Sequence, residues 1–181
     1  MIKMIIAIIF LTIILTLTTI FLIYMIKSSV KPSKTAPYIW SFNRHLMLMQ
    51  KLKIKKWTNL IDLWCGDGKA LRFFSKNYNL KTLKWCDINP YAIIQGKIIN
   101  LLQWQKNILL KKRNFLKENL KWYHYIYIYL RPSQLINIEE RLRINKDKNT
   151  IIISNSFEFA KHEAFETIKN TKWKNSIFLY K

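Results

Sequence analysis

The stretch TNLIDLWCGDGKALRFF, Thr58–Phe74, decides the fold of this chain. Its first half predicts a short apolar strand over Asn59–Leu63, and its second half predicts a helix over Lys69–Lys76. The loop between them contains Gly66 and Gly68. Glycine lets the backbone come close to a ligand, and the N-terminus of the following helix faces that ligand. The stretch therefore predicts a ligand-binding strand–loop–helix unit.

Strand and helix signals alternate outward from this unit. Further strands are predicted over residues 82–88, 107–113, 123–130, 149–154 and 176–180, and further helices over residues 90–103 and 135–144. An amphipathic helix is predicted ahead of the unit, from Ser41 as N-cap to Lys53. Its apolar side consists of Leu46, Met47, Met49 and Leu52. This alternation predicts an α/β fold with a doubly wound, mostly parallel, Rossmann-like sheet.

Acidic residues are scarce, with 10 Asp and Glu against 31 Lys and Arg, and three of them lie on this unit and the next strand. Asp62 precedes the glycine loop, Asp67 lies between its two glycines, and Asp87 ends the second strand. A carboxylate at that strand end can accept hydrogen bonds from both hydroxyls of a ribose. A nicotinamide-binding fingerprint needs a third glycine where Leu71 stands, and a phosphate-binding P-loop needs Gly-Lys-Ser or Gly-Lys-Thr where this loop reads Gly-Lys-Ala. Both of these nucleotide-binding classes are therefore excluded.

The same stretch resembles motif I of class I S-adenosylmethionine-dependent methyltransferases, D-L-G-C-G-D-G followed by a helix. Over residues 35–181 the chain resembles the small membrane-anchored protein-lysine methyltransferases of the ATP synthase c-subunit and the adenine nucleotide translocase, and their bacterial relatives. The other matching segments are Pro37-Tyr38-Ile39, Asp87-Ile88-Asn89-Pro90, Asn114-Phe115, Tyr129-Leu130-Arg131-Pro132, Ser154-Asn155-Ser156-Phe157 and Ile177-Phe178-Leu179-Tyr180. The resemblance implies S-adenosyl-L-methionine as cofactor and a lysine of a membrane protein as methyl acceptor.

The resemblance also implies roles for individual residues. The methionine part of the cofactor would be lined by Asp62, Leu63, Trp64, Cys65, Gly66, Asp67 and Gly68. Asp87 would bind the ribose, and Ile88 would pack on the adenine. Asn114 and Phe115 would border the adenine. Tyr129 is the candidate catalytic residue, because it would face the methyl group and the incoming nucleophile.

Tryptophan is frequent and glycine is rare in this chain. There are 7 Trp and only 3 Gly, whereas average usage predicts about 13 glycines. All seven tryptophans stand where glycine is expected. Trp64 lies in motif I, Trp85 precedes the strand-end acid, Trp57 precedes the first strand and Trp104 ends a helix, and the others lie in or next to presumed turns, namely Trp40, Trp122 and Trp173. We hypothesise that the gene encodes glycine by UGA codons that were read as tryptophan. The alternative is chance placement of genuine tryptophans, in which case Trp64 would impede cofactor binding.

The N-terminal region predicts a membrane anchor. The uncharged run Met4–Ile26 is long enough to span a bilayer core of about 30 Å. We predict a transmembrane anchor over residues 1–27, a linker over residues 28–37 and a methyltransferase domain over residues 38–181. Three lysines follow the run and one precedes it, so the positive-inside rule predicts a single-pass protein of the cell membrane with its catalytic domain in the cytoplasm.

The net charge of +21 favours polyanionic partners, either anionic membrane lipid or nucleic acid. A general enrichment in Ile, Lys and Asn explains the same charge without any partner. Cys65 and Cys86 form no CxxC pair, so neither a metal site nor a disulfide is predicted. Two alternatives to a protein methyltransferase stay open: an RNA methyltransferase, and a non-catalytic membrane-tethered scaffold with a degenerate cofactor site.

Overall fold

The computed structural model describes residues 2–30, 43–105, 107–112, 114, 117–170 and 175–181. The chain forms two compact units, residues 1–37 and residues 38–181. Several positions singled out in the sequence lie outside the described residues, namely Pro37-Tyr38-Ile39, Ser41 and Phe115.

The first unit contains one helix, α1, Ile2–Val30. Its segment Ile2–Ile23 is long and apolar enough to cross a membrane by length and composition, a property that signal sequences share. Threonine hydroxyls along it donate to carbonyls of the preceding turn, as in the 2.8 Å bond from Thr12 to Ile9, so their polar groups are satisfied within the helix. The helix extends three residues beyond the predicted anchor, so residues 28–30, predicted as linker, are helical.

The second unit is built on a seven-stranded sheet. Its strands are β1 Asn59–Asp62, β2 Thr82–Asp87, β3 Ile108–Lys112, β4 Tyr125–Ile128, β5 Ile151–Asn155, β6 Glu166–Asn170 and β7 Asn175–Tyr180. They lie in the order β3-β2-β1-β4-β5-β7-β6. The first five strands are parallel, and β7 is antiparallel to both β5 and β6. The predicted α/β fold with a mostly parallel sheet is confirmed.

Four helices connect or cover the strands: α2 Asn43–Met49, α3 Lys69–Asn77, α4 Pro90–Leu102 and α5 Pro132–Asn145. The strand order runs from β1 through β2 to β3 in one direction and from β4 to β5 in the other. Because such crossovers are right-handed, α3 and α4 cover one face of the sheet and α5 covers the other. The direction reverses between β1 and β4, and ligands of doubly wound sheets bind outside the carboxyl ends of the strands at that point.

Alternating apolar side chains of the strands form the core on the α3 side. Leu60, Leu83 and Tyr127 are buried there against Leu71 and Phe74 of α3. The alternate residues Ile61, Ile126 and Ile152 are equally buried and point to the α5 side. Both faces of the central strands are therefore apolar, as expected for a parallel sheet covered by helices on both sides.

Two elements differ from their prediction. The first helix of the domain ends at Met49 rather than Lys53, because the next amides bond three residues back and form tight turns instead of a helix. Met47 is 64% exposed rather than part of the buried side, which includes Leu48 instead. Strand β6 was not predicted, since its sequence ETIKN is polar and mostly exposed. It is an edge strand held by pairing with β7.

Candidate functional site

The loop after β1 turns sharply toward α3 at two glycines. Gly66 has φ 54° and Gly68 has φ 78°, both in the left-handed region. An L-residue in this region costs about 1–2 kcal/mol, so the turn requires glycine at both positions. Gly68 accepts a 3.0 Å hydrogen bond from the amide of Arg72 and thereby begins α3. The loop lies at the reversal point of the sheet, with the N-terminus of α3 directly behind it.

The carboxylate of Asp87 ties the end of β2 to this loop. One oxygen accepts a 3.0 Å hydrogen bond from the amide of Gly66, and the other accepts a 2.8 Å bond from the amide of Asn89. Burial raises the pKa of Asp87, and the backbone hydrogen bonds partly oppose that shift. The amide of Ile88 also interacts with this carboxylate. Because an ionised carboxylate has about four acceptor positions, it keeps some acceptor capacity for hydroxyl groups. This is the arrangement needed to hold a ribose.

Asp62, the last residue of β1, is fully buried and accepts a 3.2 Å hydrogen bond from the amide of Trp64. Burial raises its pKa well above the ordinary value, and the nearby Asp87 adds to the shift. Burial and the charge of Asp62 likewise raise the pKa of the Cys65 thiol. A thiol with a raised pKa is unreactive, which assigns Cys65 to packing rather than to chemistry.

Asp67 serves the helix rather than the loop opening. Its carboxylate accepts a 3.2 Å bond from the amide of Lys69 and forms a 2.8 Å ion pair with Arg72. Asp67 precedes the N-cap Gly68, and an acid just before a helix compensates its unpaired amides and its dipole. If Asp67 also contacts the cofactor, as predicted, its carboxylate would do so while it keeps these bonds to α3.

The remaining predicted cofactor residues are spread along the same edge of the sheet. Leu63 is buried, and its amide donates to the carbonyl of Tyr127, so its side chain belongs to the core. Ile88 is half-buried beside Asp87. Asn114 is exposed just beyond the end of β3. The structure thus brings Asp62, Asp87 and the glycine loop together and places Asn114 at the rim.

Aromatic rings gather on the other side of the reversal point, after β4. The ring of Tyr129 is half-buried and stacks on Phe157 with centroids 6.3 Å apart and an interplanar angle of 14°. His45 of α2 meets the ring of Tyr129 edge-on at 5.7 Å. Sequence reasoning identified Tyr129 but missed His45 and Phe157 as its neighbours, because no local pattern connects residues so far apart in the chain.

The loop from β5 to β6 carries Phe157 and is held by a buried acid. Glu139 of α5 is fully buried and accepts hydrogen bonds from the amides of Ala160 at 3.1 Å and Lys161 at 3.0 Å. Its carboxylate also contacts Nδ1 of His162 at 2.5 Å. These contacts hold the loop against α5 and thereby position Phe157 opposite Tyr129.

Two of the tryptophans have a backbone conformation that favours glycine, and a third is packed tightly against two glycines. Trp57 and Trp104 have φ 59° and 53°, in the left-handed region. Trp85 is fully buried, and a Cβ at Gly68 or Gly96 would run into its indole. The indole N–H of Trp85 has no hydrogen-bond partner among the described residues, and a buried unpaired donor costs about 1–3 kcal/mol. Trp64, by contrast, has no positive φ.

Comparison with known proteins supports the fold through structure and not through sequence. No protein-family model and no curated protein matches the chain. An RNA methyltransferase from Salinibacter ruber, in complex with S-adenosyl-L-homocysteine, has a TM-score of 0.67 at 13% identity, covering 79% of this chain and 92% of that one. A ribosomal protein L11 methylase from Lactobacillus delbrueckii subsp. bulgaricus has a TM-score of 0.63 at 13% identity, covering 80% of each chain.

A third neighbour, a SAM-dependent methyltransferase from Aquifex aeolicus, has a TM-score of 0.57 at 14% identity and covers 75% of this chain and 88% of that one. These structures share the fold but differ in their named substrates, which include RNA and a ribosomal protein. The chain therefore has the Rossmann-like fold of class I S-adenosylmethionine-dependent methyltransferases.

Proposed function

We propose that this protein is a membrane-anchored S-adenosylmethionine-dependent methyltransferase that methylates a lysine of a membrane protein. The observation that carries the proposal is the position of Asp87. Its buried carboxylate ends β2, accepts a hydrogen bond from the amide of Gly66 and lies at the carboxyl end of a methyltransferase-like sheet, one strand from its reversal point. A strand-end acid facing a glycine loop is the arrangement that binds a nucleoside ribose.

The residues of this edge fit the cofactor at its ribose end. Asp87 would accept hydrogen bonds from the two ribose hydroxyls. Ile88 would lie beside the adenine, and Asn114 would border it. The backbone of Gly66 and Gly68 would pass close to the methionine part, where Asp62 is the nearest buried acid. The half-buried indole of Trp64 is the feature that fits least well, since the resemblance expects glycine there. The bound cofactor would supply an electrophilic methyl group.

The aromatic side of the site would receive the acceptor. An amine attacks a methyl group only when it is neutral, and removal from water lowers the pKa of a lysine. The rings of Tyr129, Phe157 and His45 would provide such a desolvated wall. Their role would be to orient and desolvate the acceptor, because methyl transfer depends chiefly on holding both reactants in line.

The proposed substrate follows from the N-terminal helix. A domain tethered to a bilayer through a short segment after α1 stays within some tens of Å of the surface. Tethering raises the effective concentration of membrane-borne targets and does nothing for soluble ones. The flanking lysines and the net charge of +21 favour a cytoplasmic domain close to anionic lipid.

Mass spectrometry of membrane proteins from cells with and without the gene tests this function. We expect one methyl-lysine mark to disappear with the gene and to return with the native gene but not with the Asp87→Ala variant. Deletion of residues 1–27 should reduce the rate of marking while leaving cofactor binding intact. An unchanged membrane methylome would contradict the proposal, and so would equal marking of the same target by the chain without α1.

RNA methylation is the second candidate, and the charge of the chain favours it. A basic protein that binds RNA through phosphate contacts loses affinity steeply as salt rises. If the only methylated product in cells expressing the gene is RNA, and RNA binding has that salt dependence, this second function replaces the first.

A further inference from the structure

The outer face of α4 is more apolar than the face that packs on the sheet. The buried side of the helix consists of Ala92, Ile93, Gly96 and Asn100. The outer side carries four large aliphatic residues, Ile94, Ile98, Leu101 and Leu102, which are 53%, 54%, 78% and 73% exposed. An ordinary surface helix has the opposite arrangement, with its apolar stripe facing the core. The stripe therefore has another role than holding the domain together.

The stripe lies beside the edge strand of the sheet, across a groove. Leu109 of β3 is 53% exposed, and β3 is the first strand of the sheet order. A shallow groove of about 430 Å³ joins the two elements and is lined by Leu101, Leu109, Trp104 and Lys97 among others. We call Ile94, Ile98, Leu101, Leu102 and Leu109 the α4–β3 face. This groove is distinct from the candidate cofactor site, whose residues do not line it.

The α4–β3 face is unusual within this domain. The other large hydrophobic side chains exposed on the described part of the domain, such as Met47, Ile136 and Ile144, are isolated in the sequence. Residues 94, 98, 101 and 102 follow a helical spacing and form one stripe. Contiguous apolar surface of this kind marks a contact with a protein or a membrane. Trp104 adds to the groove, but the stripe remains if residue 104 is glycine.

We infer that the α4–β3 face docks on the surface of an anionic lipid bilayer. A helix with an apolar stripe and basic flanks lies in the interfacial plane with its apolar face among the lipids. The sequence of α4 contains no acid, Lys97 lies on the groove, and the whole chain carries a charge of +21. This inference rests on the proposed membrane attachment through α1, which keeps the domain close to lipid.

The alternative occupant is a second copy of the chain. An edge strand such as β3 offers unpaired amides and carbonyls to another strand. However, two copies joined through this face would bring together two chains that each carry a net charge of +21, whereas anionic lipid neutralises that charge. The charge therefore favours the bilayer, and the experiment must distinguish the two occupants.

The test uses nitroxide labels on the full chain in vesicles of neutral and anionic phospholipid. The native thiols of Cys65 and Cys86 are buried, so labels attach to introduced cysteines. The variants are Leu101→Cys on the proposed docking face, Ile144→Cys on α5 as a matched exposed control, and Leu15→Cys within α1. Power saturation compares collisions of each label with oxygen, which concentrates in lipid, and with a water-soluble nickel chelate.

We expect the labels at positions 15 and 101 to collide mainly with oxygen and the label at position 144 to collide mainly with nickel. The oxygen-to-nickel ratio at position 101 should exceed that at position 144 several-fold and should fall when the anionic lipid is omitted.

A lipid-immersed position 15 with a water-exposed position 101 would overturn docking alone. A water-exposed position 15 would overturn the membrane attachment as well. Spin–spin broadening between labels at position 101 would assign the face to a second copy, and an unchanged ratio in neutral vesicles would overturn the role of lipid charge.

Discussion

At the scale of single residues, backbone conformation distinguishes some tryptophans from others. Trp57 and Trp104 have left-handed φ values and are 69% and 82% exposed, so their rings are largely solvent-exposed while their backbones are strained. Trp122 is 71% exposed within a short 3-10 helix and has no positive φ. The three residues thus differ mainly in backbone conformation. A left-handed φ favours glycine, so this difference bears on the hypothesis that UGA codons encode glycine.

Replacing Trp57 or Trp104 by glycine should therefore stabilise the domain. Relief of the left-handed conformation outweighs the entropy cost of glycine, with a net gain of about 1 kcal/mol at each position. Trp122→Gly is the matched control and should leave the free energy of unfolding unchanged or lower it. Denaturant unfolding of the three variants measures the difference. Equal effects at all three positions would contradict the glycine assignment.

Trp64→Gly should strengthen cofactor binding by the polypeptide that contains these tryptophans. The half-buried indole of Trp64 stands at the first glycine position of the motif, where the backbone should approach the ligand. Most changes from tryptophan to glycine weaken a protein, so a several-fold lower Kd for S-adenosyl-L-homocysteine would be diagnostic. Titration calorimetry provides the measurement. A Kd equal to or higher than that of the parent would show that Trp64 does not obstruct the site.

The buried carboxyl of Asp62 should make stability depend on pH. Its pKa is raised in the folded state, first by burial, so the folded chain holds this proton more tightly than the unfolded chain does. Its contribution is therefore greatest below the ordinary pKa of Asp and is lost as pH rises through the raised value. Relative to Asp62→Asn, the native chain should gain stability as pH falls from 7 toward 4. A stability difference that is constant with pH would contradict the raised pKa.

At the scale of elements, the loop between β5 and β6 depends on one buried side chain. Glu139 accepts from the amides of Ala160 and Lys161 and contacts His162. Glu139→Gln leaves a single acceptor oxygen for these donors, so the amides of Ala160 and Lys161 should exchange their hydrogens at least tenfold faster, equivalent to about 1.4 kcal/mol. Asp147→Asn, at an exposed acid just after α5, is the control. Equal exchange in both variants would show that Glu139 does not hold the loop.

The elements nearest the glycine loop could be predicted from the sequence because their signals are local. The β1–α3 unit consists of one apolar run, two glycines and one amphipathic segment. The observed end of β1 and the observed end of α3 each differ from the prediction by one residue. Strand β4 is shorter than predicted, because the residues before it adopt a 3-10 helix and a bend. Strand β6 could not be predicted, since its only stabilising feature is pairing with β7.

At the scale of the whole molecule, the sheet order produced the parts of the site that the sequence could not. Asp87 and the glycine loop follow β2 and β1, which are consecutive in the chain and neighbours in the sheet, so their carboxyl ends lie side by side. Tyr129, Phe157 and His45 come from three elements that meet only because β4 and β5 are neighbours in the sheet and α2 packs against β6 and β7. The exposed apolar face of α4 could not be predicted either. An apolar helical sequence predicts a buried helix, and it does not show which face of the helix contacts the sheet.

We propose that Asp87 holds the methyltransferase cofactor, and calorimetric titration of S-adenosyl-L-homocysteine tests that role. The full chain, Asp87→Ala, Asp87→Asn and the exposed-acid control Asp147→Ala would be compared in detergent. Two charge-assisted hydrogen bonds contribute on the order of 1.5–3 kcal/mol each. We therefore predict saturable binding by the native chain and the control, and binding weakened by a factor of at least ten in both Asp87 variants. Asp87→Asn keeps a side-chain oxygen that can accept a backbone amide, so it should lower the unfolding temperature less than Asp87→Ala does. Equal affinity in the native chain and Asp87→Asn, or no binding by the native chain and Trp64→Gly alike, would contradict the account.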